Sequence, residues 1–170
     1  TLSAAQSQAL TQKLAAFEAE SGPQIVVLMV PTTQPEDIAA YAQRVGEAWK
    51  IGRRDVGDGL LIVVAKNDRR VNIQTAKALE GAVPDLAARQ IIDSAIRPAF
   101  RAGDYAGGLN AALDQLIARI KGAIIDELRS LDWVPRSVRS RAREIEQANA
   151  KLEHNLGRAP TDEELAERLG

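Results

Sequence analysis

The 170-residue chain contains no cysteine, which excludes disulfides, thiolate metal ligands and a cysteine nucleophile. It holds a single histidine, His154. It also lacks the glycine loop before a helix that cradles phosphate in nucleotide-binding proteins. No apolar run reaches the roughly 18–20 residues of a membrane span, so no transmembrane segment is expected. The opening TLSAAQSQAL has no charged-then-apolar leader and is open to a mature start after leader removal. No segment repeats another. What remains is 45% apolar and 26% charged residues, an ordinary balance for a globular chain.

The formal net charge of −1 conceals an uneven distribution. Between residues 129 and 143, Arg129, Arg136, Arg139, Arg141 and Arg143 face only Asp132, a local net of +4. From Glu144 to Gly170 seven acids face Lys151, Arg158 and Arg168, a local net of −4. The basic cluster is the part able to attract phosphate.

Ser3 to Ser21 is predicted helical, with Leu10, Leu14 and Phe17 at helical spacing and Gly22-Pro23 as its stop. Gln24–Val30 reads as a strand buried on both faces. Pro35-Glu36-Asp37 opens a second helix with acids in its first turn and an inward stripe of Ile38, Tyr41, Ala42, Val45 and Trp49. Leu60–Ala65 is a second buried strand. Asn67-Asp68 turns the chain into Arg69–Thr75, an antiparallel partner. Pro84 to Ile96 is a helix with Leu86, Ile91, Ile92 and Ala95 inward, broken at Arg97-Pro98. Leu109, Leu113, Leu116, Ile120, Ile124, Leu128 and Leu131 keep helical spacing, so one unbroken helix is expected from about Tyr105 to Leu131. Two strands with a crossover helix form a parallel pair. The fold class is therefore α/β: a small mixed sheet in a three-layer α/β/α sandwich, followed by an all-α extension.

The strings FEAESGPQIVVLMVPTTQPEDIAAYAQRVGEAWKIGRRDVGDGLLIVVAKNDRRVNIQTAKALEG and PAFRAGDYAGGL resemble the TPM domain over about residues 1–122. The resemblance implies the three-layer sandwich and an exported or membrane-associated setting. It also implies either acid phosphatase activity, attributed to one branch, or divalent-metal binding, attributed to others. Among the loop acids Asp55, Asp58, Asp68, Glu80 and Asp85, the expected metal ligands are Asp58, Glu80 and Asp85, which follow or precede strands near one sheet end. The cation would be Ca²⁺ or Mg²⁺. The alternative is that these acids are solvated or cap helices. Metal-assisted hydrolysis through Asp58 or Asp85 is the enzymatic alternative. Before Leu79-Glu80-Gly81 the family carries a glycine-and-aromatic stretch; here stand Thr75-Ala76-Lys77-Ala78.

Residues 118–170 resemble flagellar and sporulation-type alternative sigma factors of bacterial RNA polymerase, on ARIKGAIIDELR, DWVPRSVR and LGRAPTDEELAERLG. The match covers the end of region 2 and the start of region 3, and implies cytoplasmic work on double-stranded promoter DNA. By that resemblance Arg119, Asp126, Arg129, Arg136 and Arg139 contact DNA. Arg143 continues the face set by Arg136 and Arg139 at spacings of three and four. The competing reading is a solvated helix face. Trp133 anchors the turn before Pro135 or stacks on a base. Thr161 and Glu164 form a capping box, Leu165, Ala166 and Leu169 face inward, and His154 is a surface residue. RNA polymerase binding is not expected of so short a fragment. A homodimer through the leucine stripe is a further expectation. The division at 1–122 and 123–170 joins two families through the shared string ARIKG, as in a chimera.

Overall fold

In a computed structural model the backbone is described for residues 1–131 and 136–169. Trp133 and Pro135 lie outside the described residues, as do the side chains of Leu131, Arg136, Arg139 and Leu169. The chain forms two compact units, Thr1–Asp126 and Glu127–Gly170.

In the first unit, α1 (Ala4–Ser21) starts at a capping box in which Ser3 Oγ accepts from the Gln6 N–H and Gln6 Oε1 accepts from the Ser3 N–H. It ends at Gly22, whose φ of 96° suits glycine. Strand β1 (Gln24–Val30) leads to α2 (Ile38–Trp49), then to strands β2 (Gly59–Ala65) and β3 (Arg70–Thr75). The sheet order is β1-β2-β3, with β1 and β2 parallel and β2 and β3 antiparallel. All seven residues of β2 are buried, because it is the central strand. β1 is an edge strand, buried at Ile25 and half-buried elsewhere, and it packs on both faces as expected, Ile25, Val27 and Met29 on one side and Val26, Leu28 and Val30 on the other.

Leu60, Ile62 and Val64 face α1 and the later helices. Leu61, Val63 and Ala65 face α2. The period-2 alternation of β2 thus makes two cores from one strand. In α2, Ile38, Ala42 and Val45 are buried, but Trp49 is 55% exposed, against expectation. It is the last helical residue, and Lys50 then turns left-handed at φ 51°. Asp37 is the N-cap, accepting from the Ala39 N–H, so the acids precede the helix instead of occupying its first turn.

α3 (Asp85–Ile91) does not stop before Pro98. A π-helical turn, Ile92–Ile96, carries the chain directly into α4 (Arg97–Arg101). Pro98 has no N–H and its ring would strike a carbonyl one α-turn back. The wider π-turn relieves that conflict, so the proline produces a bulge instead of the expected break. Leu86 is 68% exposed and Ala87 and Ala88 take the inward positions. Helix α5 (Tyr105–Leu131) runs unbroken, as its apolar spacing predicts. Leu109, Leu113, Leu116 and Ile120 are fully buried, Ile124 packs at the core edge and Leu128 is 56% exposed.

The second unit contains α6 (Arg136–Leu156) and α7 (Asp162–Leu169). Gly157, at φ 65°, ends α6 by donating its N–H to Glu153 O. Leu165 is half-buried, whereas Ala166 is exposed rather than inward.

Candidate functional site

Of the acids expected to hold a metal, Asp58 is buried at 2% exposure just before β2. Its Oδ1 accepts from the Arg53 N–H at 2.8 Å, and its Oδ2 from Arg53 Nε at 2.7 Å and Nη2 at 2.5 Å. Burial alone would raise the carboxyl pKa. The Arg53 hydrogen bonds and charge outweigh it and hold the group below the usual carboxylate range. The loop is tight around this pair: a Cβ on Gly52, whose φ is 96°, would fall 2.4 Å from Gly59 N. Arg53 carries no motif of its own in the sequence; its spacing from Asp58 within one glycine-bounded loop is the signal that points to it.

Glu80 and Asp85 are both exposed and line one groove of about 620 Å³ along the outer edge of β3. Asn72, Thr75 and Arg89 line it too, and Asn72 Oδ1 is buried without a hydrogen-bond partner. Asp58 does not line this groove. Among the described residues no three His, Asp or Glu side chains gather as a metal centre would need. Asp68, another loop acid, accepts from the Thr33 N–H at 3.0 Å and the Thr32 hydroxyl at 2.8 Å, which hold its pKa low.

The expected DNA contacts lie on two helices. Arg119, Asp126 and Arg129 are exposed on α5; positions 136, 139 and 143 follow on α6, where Arg141 and Arg143 are exposed. In the loop before α7, Arg158 holds Glu164 through two bonds of 2.7 and 3.0 Å. The Glu164 carboxylate also accepts from the Thr161 N–H at 2.9 Å, and the Thr161 hydroxyl accepts from the Glu164 N–H at 3.4 Å, the expected capping box. The Arg158 bonds, then the backbone bond, lower the Glu164 pKa to about 2. His154 is exposed, as expected. No helix among the described residues is long and apolar enough to cross a membrane.

Comparison with known proteins separates the same two parts. Residues 1–119 match the TPM domain and residues 140–170 match sigma-70 region 3. The chain resembles the N-terminal domain of a P. gingivalis protein, with a TM-score of 0.65 and 28% identity over 72% of this chain and 78% of that one. It shares the fold of the BA42 protein from Bizionia argentinensis, with a TM-score of 0.61 and 23% identity over 70% of this chain and 81% of that one. Over 54 residues, 32% of this chain, it is 63% identical to RNA polymerase sigma factor FliA of Salmonella typhimurium and of Escherichia coli strain K12. The RNA polymerase sigma-D factor of Bacillus subtilis is 48% identical over 52 residues, 31% of this chain. The chain spans only 23% of the length of the FliA proteins and 20% of that of sigma-D.

Proposed function

The chain belongs to the TPM domain family, and from that premise we propose that it is a non-catalytic TPM-type domain bearing a fragment that binds duplex promoter DNA. One observation carries this reading: the sigma-70 region 3 match at 140–170 adjoins the net +4 segment at 129–143. Arginines on a helix neutralise phosphates and reach guanine edges in the major groove. Arg141 and Arg143 are solvent-accessible for the former. In this reading the phosphate contacts are made by the arginines of α6 and the end of α5. Transcription initiation is not part of the proposal. The two parts come from two families, as in a chimera.

A mobility titration with a −10-type promoter duplex and a scrambled control tests this. Specific, salt-sensitive retention is expected, weakened by Arg136→Ala and Arg139→Ala. Absence of retention at low salt refutes the reading.

The groove on β3 favours a second, metal-binding reading. Glu80 and Asp85 line it and would offer a hard cation two carboxylates, up to four of the six to eight oxygens Ca²⁺ takes. Asp58 is excluded from that set by its Arg53 bonds. Calcium titration should then perturb the backbone resonances of Glu80 and Asp85 and leave Asp58 unmoved; a titration that moves none of them ends it.

A further inference from the structure

A groove of about 790 Å³ lies beyond the carboxyl end of β2, where open α/β sheets bind their ligands. Lys66, Arg69, Arg70, Arg97 and Arg101 line it together with Tyr105, and no acid does. Two separate stretches of chain, 66–70 and 97–101, supply these cations. Lys66 and Arg69 stand in the β2–β3 turn, where Arg69 takes a φ of 52°. Arg70 opens β3, and Arg97 and Arg101 sit one turn apart on α4.

The acids near the groove are largely spoken for. Arg97 pairs with Asp93 at 2.8 Å, and Arg70 approaches Asp37 only to 3.7 Å. Asp68 is held by Thr32 and Thr33, and Asp104 accepts the Gly107 N–H at 2.8 Å. Lys66, Arg69 and Arg101 hold no ion pair among the described residues. Lys66 Nζ lies 5.8 Å above the Tyr105 ring, which itself packs on Phe100 at 4.7 Å. Lys66, Arg69 and Arg101, which hold no such pair, repel one another and the two paired arginines in the empty protein, and a bound anion relieves that cost. Four of the five are arginines, whose planar forks match phosphate oxygens two at a time.

We propose that this groove binds a small anion carrying two or more phosphate charges. The site is independent of the DNA-binding reading, since it uses none of the arginines between 129 and 143. It also lies at the opposite end of the sheet from Asp58: β2, of seven residues, separates them by roughly 20 Å. A phosphate held here is bound, not hydrolysed by the loop acids.

The test is isothermal titration calorimetry of the full chain with inorganic phosphate, pyrophosphate and ADP, beside flotation with phosphatidylglycerol vesicles. Pyrophosphate and ADP should bind more tightly than phosphate. The Arg69→Gln/Arg101→Gln double variant should bind at least about tenfold more weakly, with its circular dichroism unchanged. Backbone resonances of Lys66–Val71 and Arg97–Tyr105 should shift in the unaltered chain, which locates the site without any variant. If vesicles alone bind and the double variant abolishes it, the phosphate is a lipid headgroup's and the groove stands. No saturable binding to any probe overturns the proposal. So do shifts confined to 136–156, and binding that survives the double variant but is lost on Arg136→Gln/Arg139→Gln.

Discussion

At the scale of single residues, Asp58 decides how the first unit's loops are held. Its carboxylate is almost wholly buried, while its partner Arg53 is 57% exposed. Removing the acid therefore leaves a solvated guanidinium, not a stranded buried charge, and the cost stays below that of a fully buried pair. Asp58→Ala should lower unfolding free energy by about 2 kcal/mol, read from urea denaturation. The pH dependence has a fixed sign. The folded-state pKa is depressed, so the contribution is complete above the unfolded value of about 3.9 and is lost as pH falls through the lower folded value. The stability gap between the native protein and Asp58→Asn should be constant from pH 7 to 5 and close below about pH 4. A gap that widens on acidification would mean that Asp58 does not fold as the carboxylate. Glu164 follows the same rule in the second unit. With its pKa at about 2, its carboxylate should stay ionised by carbon-detected NMR at pH 3, and Arg158→Ala should return it toward the ordinary glutamate value.

Among the elements, α5 separates core from extension along one continuous helix. Leu113 is fully buried and Leu128 is 56% exposed, although both belong to the same apolar stripe. Leu113→Ala should cost about 3 kcal/mol, through lost burial and the cavity left behind. Leu128→Ala should change stability by less than about 0.5 kcal/mol. Equal effects in denaturant titrations would contradict the burial pattern. The contrast also shows what sequence can reveal. Spacing gave α5 its length, and β-branched runs gave the strands, because both are local properties of the chain. Two features were not legible for the same reason. Leu86 points outward while Ala87 and Ala88 point in, and Pro98 is absorbed by a π-turn. Each depends on which element arrives on the other side. The capping boxes at Ser3 and Thr161 are self-contained motifs, legible in the sequence alone as Ser-x-x-Gln and Thr-x-x-Glu. The site followed that division too. The loop acids were visible as acids, but only the fold shows Asp58 tied to Arg53 and Glu80 sharing a groove with Asp85. The five-cation groove was invisible, since its members lie up to 35 positions apart, from Lys66 to Arg101.

For the molecule as a whole, the net charge of −1 predicts little affinity for DNA, whereas the distribution predicts a bounded one. Segment 129–143 has five arginines. With a slope of roughly −0.9 per neutralised phosphate, the log–log dependence of binding on salt cannot be steeper than about −4.5 through this segment. Affinity should therefore fall by no more than about 500-fold between 50 and 200 mM salt. Neutralising exposed Arg141 or Arg143 should flatten the slope by about 1 wherever that residue contacts phosphate, with equal effect on promoter and scrambled duplexes. Neutralising a residue that reads a base edge should instead narrow the preference for promoter over scrambled DNA. A slope much steeper than −4.5 would require phosphate contacts outside the segment, and the cations at the carboxyl end of β2 are the other concentrated source. Combining Arg69→Gln with Arg101→Gln separates the two. If DNA binding runs through α6, the slope is unchanged by that pair while pyrophosphate binding is lost; if both change together, the basic groove and not the sigma-like fragment is the nucleic-acid surface.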